Sequence, residues 1–339
     1  MSSDDTQQTL AEDTQLYPFK WVWGLLGCVA LLALVIVFGP YDEGFLLTQT
    51  REHIWYRWKL ETRTTFGFVS AWGGYLLHQV FLWWVIFQAK RQQLQYVQGL
   101  HGINVLAITG NVFFVGLHLL QSKLWYDGLA QNISPVASQF SVIFLLVFVL
   151  IMENPRRGLI FGLKAPIASS VVQGLKRYHG YYFSWAITFT FWFHPFELTQ
   201  GHLLGFFYIF ALLLQSSLFF TRFHTNRRWT FFLEVYVLLH GTLVAVMIPE
   251  QGPRVVAMFG AGFLTLMVVT QIHGLGLSRR VLWSISLLYL ATIVSLFALG
   301  LVGLAELLRI PLAEYGLAIA VAMLLWGLLK GWRLFRPVV

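Results

Sequence analysis

The sequence has few charged residues. Asp, Glu, Lys and Arg make up 11% of its 339 residues, whereas hydrophobic residues make up 57%. A soluble domain usually carries roughly 25% charged residues, so this shortage argues against a soluble globular protein. Apolar runs of roughly 20 residues recur along the chain, and each is long enough to cross a bilayer as a helix. The sequence therefore predicts an all-α fold, a polytopic integral membrane helical bundle.

Cysteine and several catalytic motifs are also scarce or missing. The single cysteine, Cys28, excludes an intrachain disulfide and lies inside an apolar run, as a small buried side chain would. The chain has no H-E-x-x-H motif, no G-x-S-x-G motif and no phosphate-binding loop, and it has none of the histidine boxes of membrane hydroxylases. Its net charge of +8 comes from basic residues in loops beside apolar runs. Membrane topology explains that pattern, so we expect no nucleic-acid partner.

Ten apolar runs predict about ten transmembrane helices. They cover residues 21–39, 65–88, 98–120, 135–153, 180–197, 202–221, 229–248, 254–273, 281–302 and 311–332. Most of the 23 Lys and Arg residues fall on one side when the intervening loops are assigned to alternate sides. Because cytoplasmic loops are rich in Lys and Arg, this asymmetry predicts that both termini are cytoplasmic. We expect a single transmembrane domain over 20–335 in a bacterial inner membrane.

Three polar segments flank these runs. Residues 1–19 carry four acids and no Lys or Arg before position 20, which predicts a disordered acidic tail before an uncleaved first helix. Residues 40–64 mix charged and aromatic side chains, which predicts an external amphipathic loop at the membrane interface. Residues 154–177 form a basic loop that we expect to lie against cytoplasmic headgroups.

The histidines fall at different predicted depths in the membrane. His101 and His179 lie near the cytoplasmic ends of their runs, and His78 and His240 lie near the middle. Imidazole is an axial ligand of b-type haem, so these four are candidate cofactor ligands. Two stacked haems fit poorly, because the spacing of the histidines along their helices would bring the irons too near the membrane surfaces. One haem held by His78 and His240, or by an outer pair, fits better.

A second cluster is predicted at the outer end of the fifth run. His194 and Glu197 are three residues apart, hence on one helical face, and His202 begins the next helix. His118 is expected at the same depth. These three histidines and one carboxylate are candidate ligands of zinc, iron or copper. The alternative is that Pro195 and the polar residues after it simply turn the chain at the interface.

Glu234 lies inside the seventh run, where a carboxylate is costly unless it has a role. We expect it either to pair with Arg227 or Arg228 or to relay protons. Histidine is prominent among the polar residues inside the runs, which favours a membrane redox or electron-transfer protein, an oxidoreductase with haem b or a transition metal. One alternative is a membrane enzyme acting on a lipid or polyprenyl substrate, which would use as metal ligands or acid-base groups the outer cluster His118, His194, Glu197 and His202. The other is an assembly factor or a proton-coupled transporter, in which the coupling groups would be His78, Glu234 and His240. The expected partners are the lipid bilayer, a quinone or lipid substrate, and other membrane subunits.

Overall fold

The computed structural model describes residues 16–42, 44–48, 59–247 and 252–334. Those residues contain ten α-helices, so the predicted all-α fold is confirmed. Each helix lies on one of the ten apolar runs. The helices are α1 Trp21–Phe38, α2 Thr65–Arg91, α3 Gly102–Trp125, α4 Pro135–Arg157, α5 Ser169–Phe193, α6 Gln200–Ser217, α7 Arg227–Val246, α8 Pro253–Val269, α9 Arg279–Ala298 and α10 Leu304–Leu334.

Seven of the helices in the described residues are long and apolar enough to cross a membrane. They are α1, α3, α4, α7, α8, α9 and α10, with α1 and α8 each extended by a 3₁₀ turn, Gly39–Asp42 and Gln271–Gly274. This finding supports an integral membrane protein. The count of ten spans and the cytoplasmic location of both termini stay predictions.

The ends of several helices follow from single side chains. Thr64 precedes α2 and its hydroxyl accepts a hydrogen bond from the Gly67 amide at 3.0 Å. Thr199 caps α6 in the same way, and both satisfy an amide that the first helical turn leaves without a partner. The predicted fifth run is wrong at both ends, because α5 begins at Ser169 and ends at Phe193. Pro195 explains the early end, since proline lacks an N–H and disfavours the α conformation in the residue before it.

The predicted basic loop 154–177 is shorter in the structure. Helix α4 continues to Arg157, and α5 begins at Ser169, so the connection covers only residues 158–168. The Asn154 side chain bonds both the amide and the carbonyl of Ala165, each at 2.9 Å. These two bonds tie the connection to the last turn of α4.

Two short strands, β1 Leu47–Thr48 and β2 Lys59–Leu60, pair antiparallel with Leu47 opposite Leu60. They lie within the predicted external loop 40–64. Residues 43 and 49–58, on which the predicted interfacial helix largely depends, lie outside the described residues, as do residues 1–15 of the predicted tail.

The chain divides into two compact units. Unit 1 comprises Met1–Pro135 and Ile187–Asn226, and unit 2 comprises Val136–Ala186 and Arg227–Val339. The prediction of one domain over 20–335 stays a prediction.

The interior of unit 1 is rich in aromatic rings, and two glycines make room for them. A Cβ at Gly74 would collide with the Trp192 ring, and one at Gly110 would collide with Phe81. Phe206 and Phe210 of α6 are also buried there. Gly74 of α2 and Gly110 of α3 therefore make room for neighbouring aromatic rings.

The core of unit 2 is aliphatic. Val147 and Ile151 of α4 pack with Val171 of α5 and with Ala318 and Ala322 of α10. These side chains form one apolar core within the unit.

Candidate functional site

His78 belongs to a buried hydrogen-bond network in unit 1. Its side chain is fully buried, and its Nε2 lies 2.7 Å from Asn111 Oδ1. Trp192 Nε1 donates to His78 Nδ1 at 3.2 Å, and Asn111 Nδ2 donates to Ser217 Oγ at 2.8 Å. The ring stacks on Phe114 with centroids 4.3 Å apart. Since an indole nitrogen only donates, His78 is assigned as the neutral tautomer with its proton on Nε2, and both ring nitrogens have protein partners.

His118 is buried beside the same tryptophan. Its Nε2 donates to the backbone carbonyl of His194 at 2.9 Å, and its Nδ1 lies 3.1 Å from Gln121 Oε1. Its ring centroid is 4.3 Å from that of Trp192 and 5.0 Å from that of Phe196. The structure thus brings His78 and His118 to the same two aromatic side chains, Phe191 and Trp192, and hydrogen bonds hold both rings in position.

The residues of the predicted outer cluster lie on three elements. His194 and Glu197 are in the segment between α5 and α6, His202 is in the first turn of α6, and His118 is in α3. The sequence predicts that His194 and Glu197 share a helical face. This prediction is wrong, because both residues follow the end of α5. The His194 and His202 rings are 5.2 Å apart, and His202 Nδ1 lies 2.8 Å from Thr199 Oγ1. Tyr126 donates its hydroxyl to Glu197. These contacts close the turn between the two helices.

Two carboxylates near this turn have shifted acidities. Burial raises the pKa of Glu197, and the hydrogen bond from Tyr126 and the charge of Lys123 oppose that rise. Burial also raises the pKa of Asp127, against the opposing effect of the Arg63 guanidinium. Both carboxyls therefore hold a proton to higher pH than they would in water.

The candidate haem ligands are divided between the two units. His78 and His101 lie in unit 1, whereas His179 and His240 lie in unit 2. His101 and His179 each donate one ring nitrogen to a backbone carbonyl, at 3.0 and 2.8 Å. Within the part of the chain that the structure describes, no group of three or more His, Cys, Asp or Glu side chains is arranged to hold a metal ion. The predicted haem and metal sites stay predictions.

Unit 2 contains a charged cluster that the sequence predicted only in part. Arg157 of α4 donates Nη1 to Glu234 of α7, and the side chains are 2% and 10% exposed. The prediction that Glu234 pairs with Arg227 or Arg228 is wrong, because the fold brings the last residue of α4 against α7. Glu314 of α10 is also buried, with 5% of its surface exposed.

These three side chains line one small cavity. Its volume is about 20 Å³, and Gln271 with apolar side chains such as Phe263 completes its wall. A cavity of roughly 10–15 Å³ suffices for one water molecule. Within the described residues, Arg157 Nε and Nη2 and Glu314 Oε2 are buried without a hydrogen-bond partner. Two of the residues that line the cavity therefore have buried polar atoms without a partner in the described protein, two nitrogens of Arg157 and one oxygen of Glu314.

A second ion pair lies outside this wall. Arg156 Nε donates to Glu153, and its Nη1 donates to the Gly274 carbonyl at 2.6 Å. Both side chains are about 30% exposed. This pair ties α4 to the turn after α8 and needs no further role.

Arg157 and Glu314 are not among the site residues that the sequence predicts. Arg157 was grouped with the cations of a basic loop, and Glu314 lies in a run assigned as the tenth span. An acid inside an apolar run is a signal that could have singled out Glu314. Nothing in the sequence indicates that Arg157 and Glu314 line the same cavity.

In comparisons with protein-family models, curated proteins and solved structures, the chain matches none.

Proposed function

We propose that the protein is a proton-coupled membrane transporter in which Arg157, Glu234 and Glu314 are the coupling groups. The observation that supports this proposal is the buried cavity in unit 2 where two carboxylates and one guanidinium meet. Ionisable groups inside membrane segments are costly and commonly mark ion or proton pathways. With both carboxylates ionised, this cluster carries one net negative charge, and a single proton neutralises it.

Glu314 is the carboxylate that holds the proton. Glu234 already has a cation partner in Arg157, whereas Glu314 Oε2 has no donor among the described residues. An ionised carboxylate buried without a partner is costly, and protonation removes that cost. Loss of the proton makes Glu314 an acceptor for the Nε and Nη2 donors of Arg157, a residue that lines the same cavity.

Helix α10 provides a place for the resulting movement. Pro311 lies inside α10, one turn before Glu314, and proline interrupts the hydrogen-bond ladder of a helix. Attraction of the ionised Glu314 to Arg157 would draw this part of α10 towards α4 and compete with Glu234. Proton binding is thereby linked to the positions of two helices, which is the coupling a transporter needs.

Two experiments test the proposal. Infrared difference spectra between acidic and basic buffers should contain carbonyl bands of protonated carboxylic acids, from Glu197, Asp127 and other titrating carboxyls as well as from Glu314. One of these bands should disappear in Glu314→Gln. Glu306→Gln is the matched control. Glu306 lies on the same helix, accepts a hydrogen bond from the Gly303 amide and is not among the residues that line the cavity. In proteoliposomes on a solid-supported membrane, a panel of amino acids, sugars and organic cations should include a solute that gives a pH-dependent current. Glu314→Gln should abolish this current, and its persistence in that variant would contradict the proposal.

The redox function is a second proposal, in which histidines of the membrane segments bind haem b or a transition metal and a quinone accepts electrons. The buried positions of His78 and His118 support it, although hydrogen bonds already occupy their ring nitrogens. A reduced-minus-oxidised spectrum with haem bands would favour it over the transporter.

The third proposal is a lipid or polyprenyl enzyme that uses His118, His194, Glu197 and His202. The proximity of His194 and His202 supports it. Stoichiometric zinc that is lost in His194→Ala would favour it over both other functions.

The proposed topology is ten spans with both termini cytoplasmic, in the cytoplasmic membrane of a bacterium. The uneven distribution of Lys and Arg supports it. In a Cys28→Ala background, a membrane-impermeant maleimide added to intact cells should label Ser134→Cys and spare Lys164→Cys. Both positions are exposed loop residues, so the reverse labelling would invert the topology.

A further inference from the structure

A cleft of about 440 Å³ lies in unit 1 at the N-terminal end of α1. Its wall contains two cations, Lys20 and Arg222, and two amide side chains, Gln98 and Asn226. None of its lining residues is acidic. The polar part of the wall therefore offers positive charge and hydrogen-bond donors, which favour an anion.

Backbone hydrogen bonds hold the wall of the cleft in place. Tyr17 and Leu100 exchange two bonds of 2.8 Å, which joins the segment before α1 to the segment before α3. Val97 accepts from the Arg222 amide at 2.7 Å, which adds the connection between α6 and α7. At Gly99 a Cβ would come within 2.6 Å of the Tyr17 carbonyl oxygen, so this close approach requires glycine. The cleft is thus built from three segments before any ligand binds.

The first turn of α1 adds to the positive potential. Lys20 is the N-cap of α1, and the first turn contains no acid. The free amides and the dipole of a helix N-terminus favour an anion, and here they act beside two cations.

The rest of the wall is aromatic. Phe19 and Phe223 are half-buried and meet edge to face with centroids 5.7 Å apart. Trp21 and Trp23, at the start of α1, are 54% and 64% exposed. Exposed tryptophan at the end of an apolar helix is typical of the membrane interface. The cleft therefore combines an anion-binding rim with the apolar surface of a candidate membrane span.

We propose that this cleft binds the phosphate headgroup of an anionic phospholipid, with its acyl chains along the exposed face of α1. A free phosphate ion would use the rim alone. A lipid also covers exposed apolar side chains of α1 such as Leu26 and Val29, which are 53% and 51% exposed. This site is independent of the proposed transport function, because it lies in unit 1 and involves none of the coupling groups.

Titration of the delipidated, detergent-solubilised protein with phosphatidylglycerol, followed by native mass spectrometry, tests the charge requirement. The double variant Lys20→Gln/Arg222→Gln should bind phosphatidylglycerol at least about tenfold more weakly, since each cation near a membrane surface contributes roughly fivefold. Arg279→Gln/Arg280→Gln is the matched control, because it removes two exposed cations at the start of α9 in unit 2. Equal losses in the two double variants would mean unspecific attraction and would overturn the proposal.

Two further probes identify the ligand. Phosphatidylcholine, whose headgroup has no net charge, should bind the unmodified chain at least about tenfold more weakly than phosphatidylglycerol. Inorganic phosphate should displace phosphatidylglycerol only at a large excess. Displacement by phosphate at equal concentration would make the free ion the ligand and overturn a lipid site.

A glycine variant tests the built geometry without changing charge. Gly99→Ala should weaken phosphatidylglycerol binding, because the added Cβ pushes the segment around Tyr17 away from Leu100. Gly102→Ala is its control, since a Cβ at Gly102 meets nothing within 4 Å. Unchanged binding in Gly99→Ala would show that the cleft is not the site.

Discussion

Among the described residues, Arg63 and Arg157 each pair with a carboxylate that is at most 10% exposed, and they use their donors differently. In unit 1, Arg63 donates Nε and Nη2 to the two oxygens of Asp127, both at 2.7 Å, and Nη1 to Asn132. In unit 2, Arg157 donates only Nη1 to Glu234, and its Nε and Nη2 are buried without a partner among the described residues. The two donor nitrogens that hold Asp127 in unit 1 are thus the two that have no partner among the described residues in the Arg157 pair.

This difference separates a structural ion pair from a candidate functional one. The Asp127 carboxylate also accepts the Gly128 amide at 2.7 Å, so its network is saturated and has little reason to rearrange. The Arg157 cluster has donors and an acceptor to spare, so its groups can exchange partners when a proton binds or leaves. The His78 network resembles Arg63 in this respect, since both of its ring nitrogens are engaged.

The largest expected effect is that of Arg157→Met. It leaves Glu234 and Glu314 buried without a cation, and breaking a buried pair typically costs about 3–5 kcal/mol. The free energy of unfolding in detergent, measured with denaturant, should fall by that amount. The double variant Arg157→Met/Glu234→Met should recover most of the loss, because it replaces both charges with apolar side chains. If Arg157→Met is as stable as the unmodified chain, the Arg157–Glu234 ion pair does not stabilise the fold and the prediction is wrong.

A smaller effect is expected for Asp127→Asn. This change removes the charge from the saturated network, and hydrogen bonds to charged groups contribute about 1.5–3 kcal/mol. The free energy of unfolding should fall accordingly, whereas the infrared band assigned to Glu314 and the pH-dependent current should persist. Loss of the current in a folded Asp127→Asn protein would contradict a purely structural role for the Arg63–Asp127 pair.

His78→Phe should cost about 1–3 kcal/mol, because it leaves Asn111 Oδ1 and Trp192 Nε1 buried without partners. Thermal unfolding monitored by tryptophan fluorescence measures the loss. If His78 has only a structural role, this substitution should not change the visible spectrum of the purified protein. Loss of a haem band in this variant would instead indicate that His78 is a haem ligand.

The smallest effect is a pH dependence at Glu197. Burial raises its pKa in the folded protein above the ordinary value of 4.5, so the folded chain binds this proton more tightly than the unfolded chain. The stability that it contributes is therefore fully present below pH 4.5 and is lost as the pH rises through the folded pKa. The difference in unfolding temperature between the unmodified chain and Glu197→Gln should decline across that window. A difference that grows with pH would mean that Tyr126 and Lys123 outweigh burial.

The helix positions were largely predictable from the sequence. The apolar runs at 21–39, 135–153 and 229–248 correspond to α1, α4 and α7 within a few residues. The fifth run was misplaced at both ends. Its start was placed too late because many of the residues that follow Ser169 are aromatic or polar rather than apolar, and its end was placed beyond Pro195, although the helix ends at Phe193. Capping at Thr64 and Thr199 follows ordinary N-cap chemistry and could have been predicted.

The candidate site was predictable only in part. Glu234 was singled out because a carboxylate inside an apolar run is conspicuous, but its partner was sought among its sequence neighbours. The actual partner, Arg157, is 77 residues away in the chain. His118 and His194 were expected to meet as metal ligands, whereas the His118 ring bonds the His194 backbone.

From the sequence alone came the all-α class, the approximate places of the helices and the membrane environment. That much is legible because an apolar run of roughly 20 residues in lipid must satisfy its own backbone hydrogen bonds, and a helix does so locally. The folded chain was needed to bring Arg157, Glu234 and Glu314 to one cavity and to engage His78 with Asn111 and Trp192. Hydropathy does not encode which helices are neighbours or how each is rotated, so the partner of a buried polar group is set by packing between distant segments.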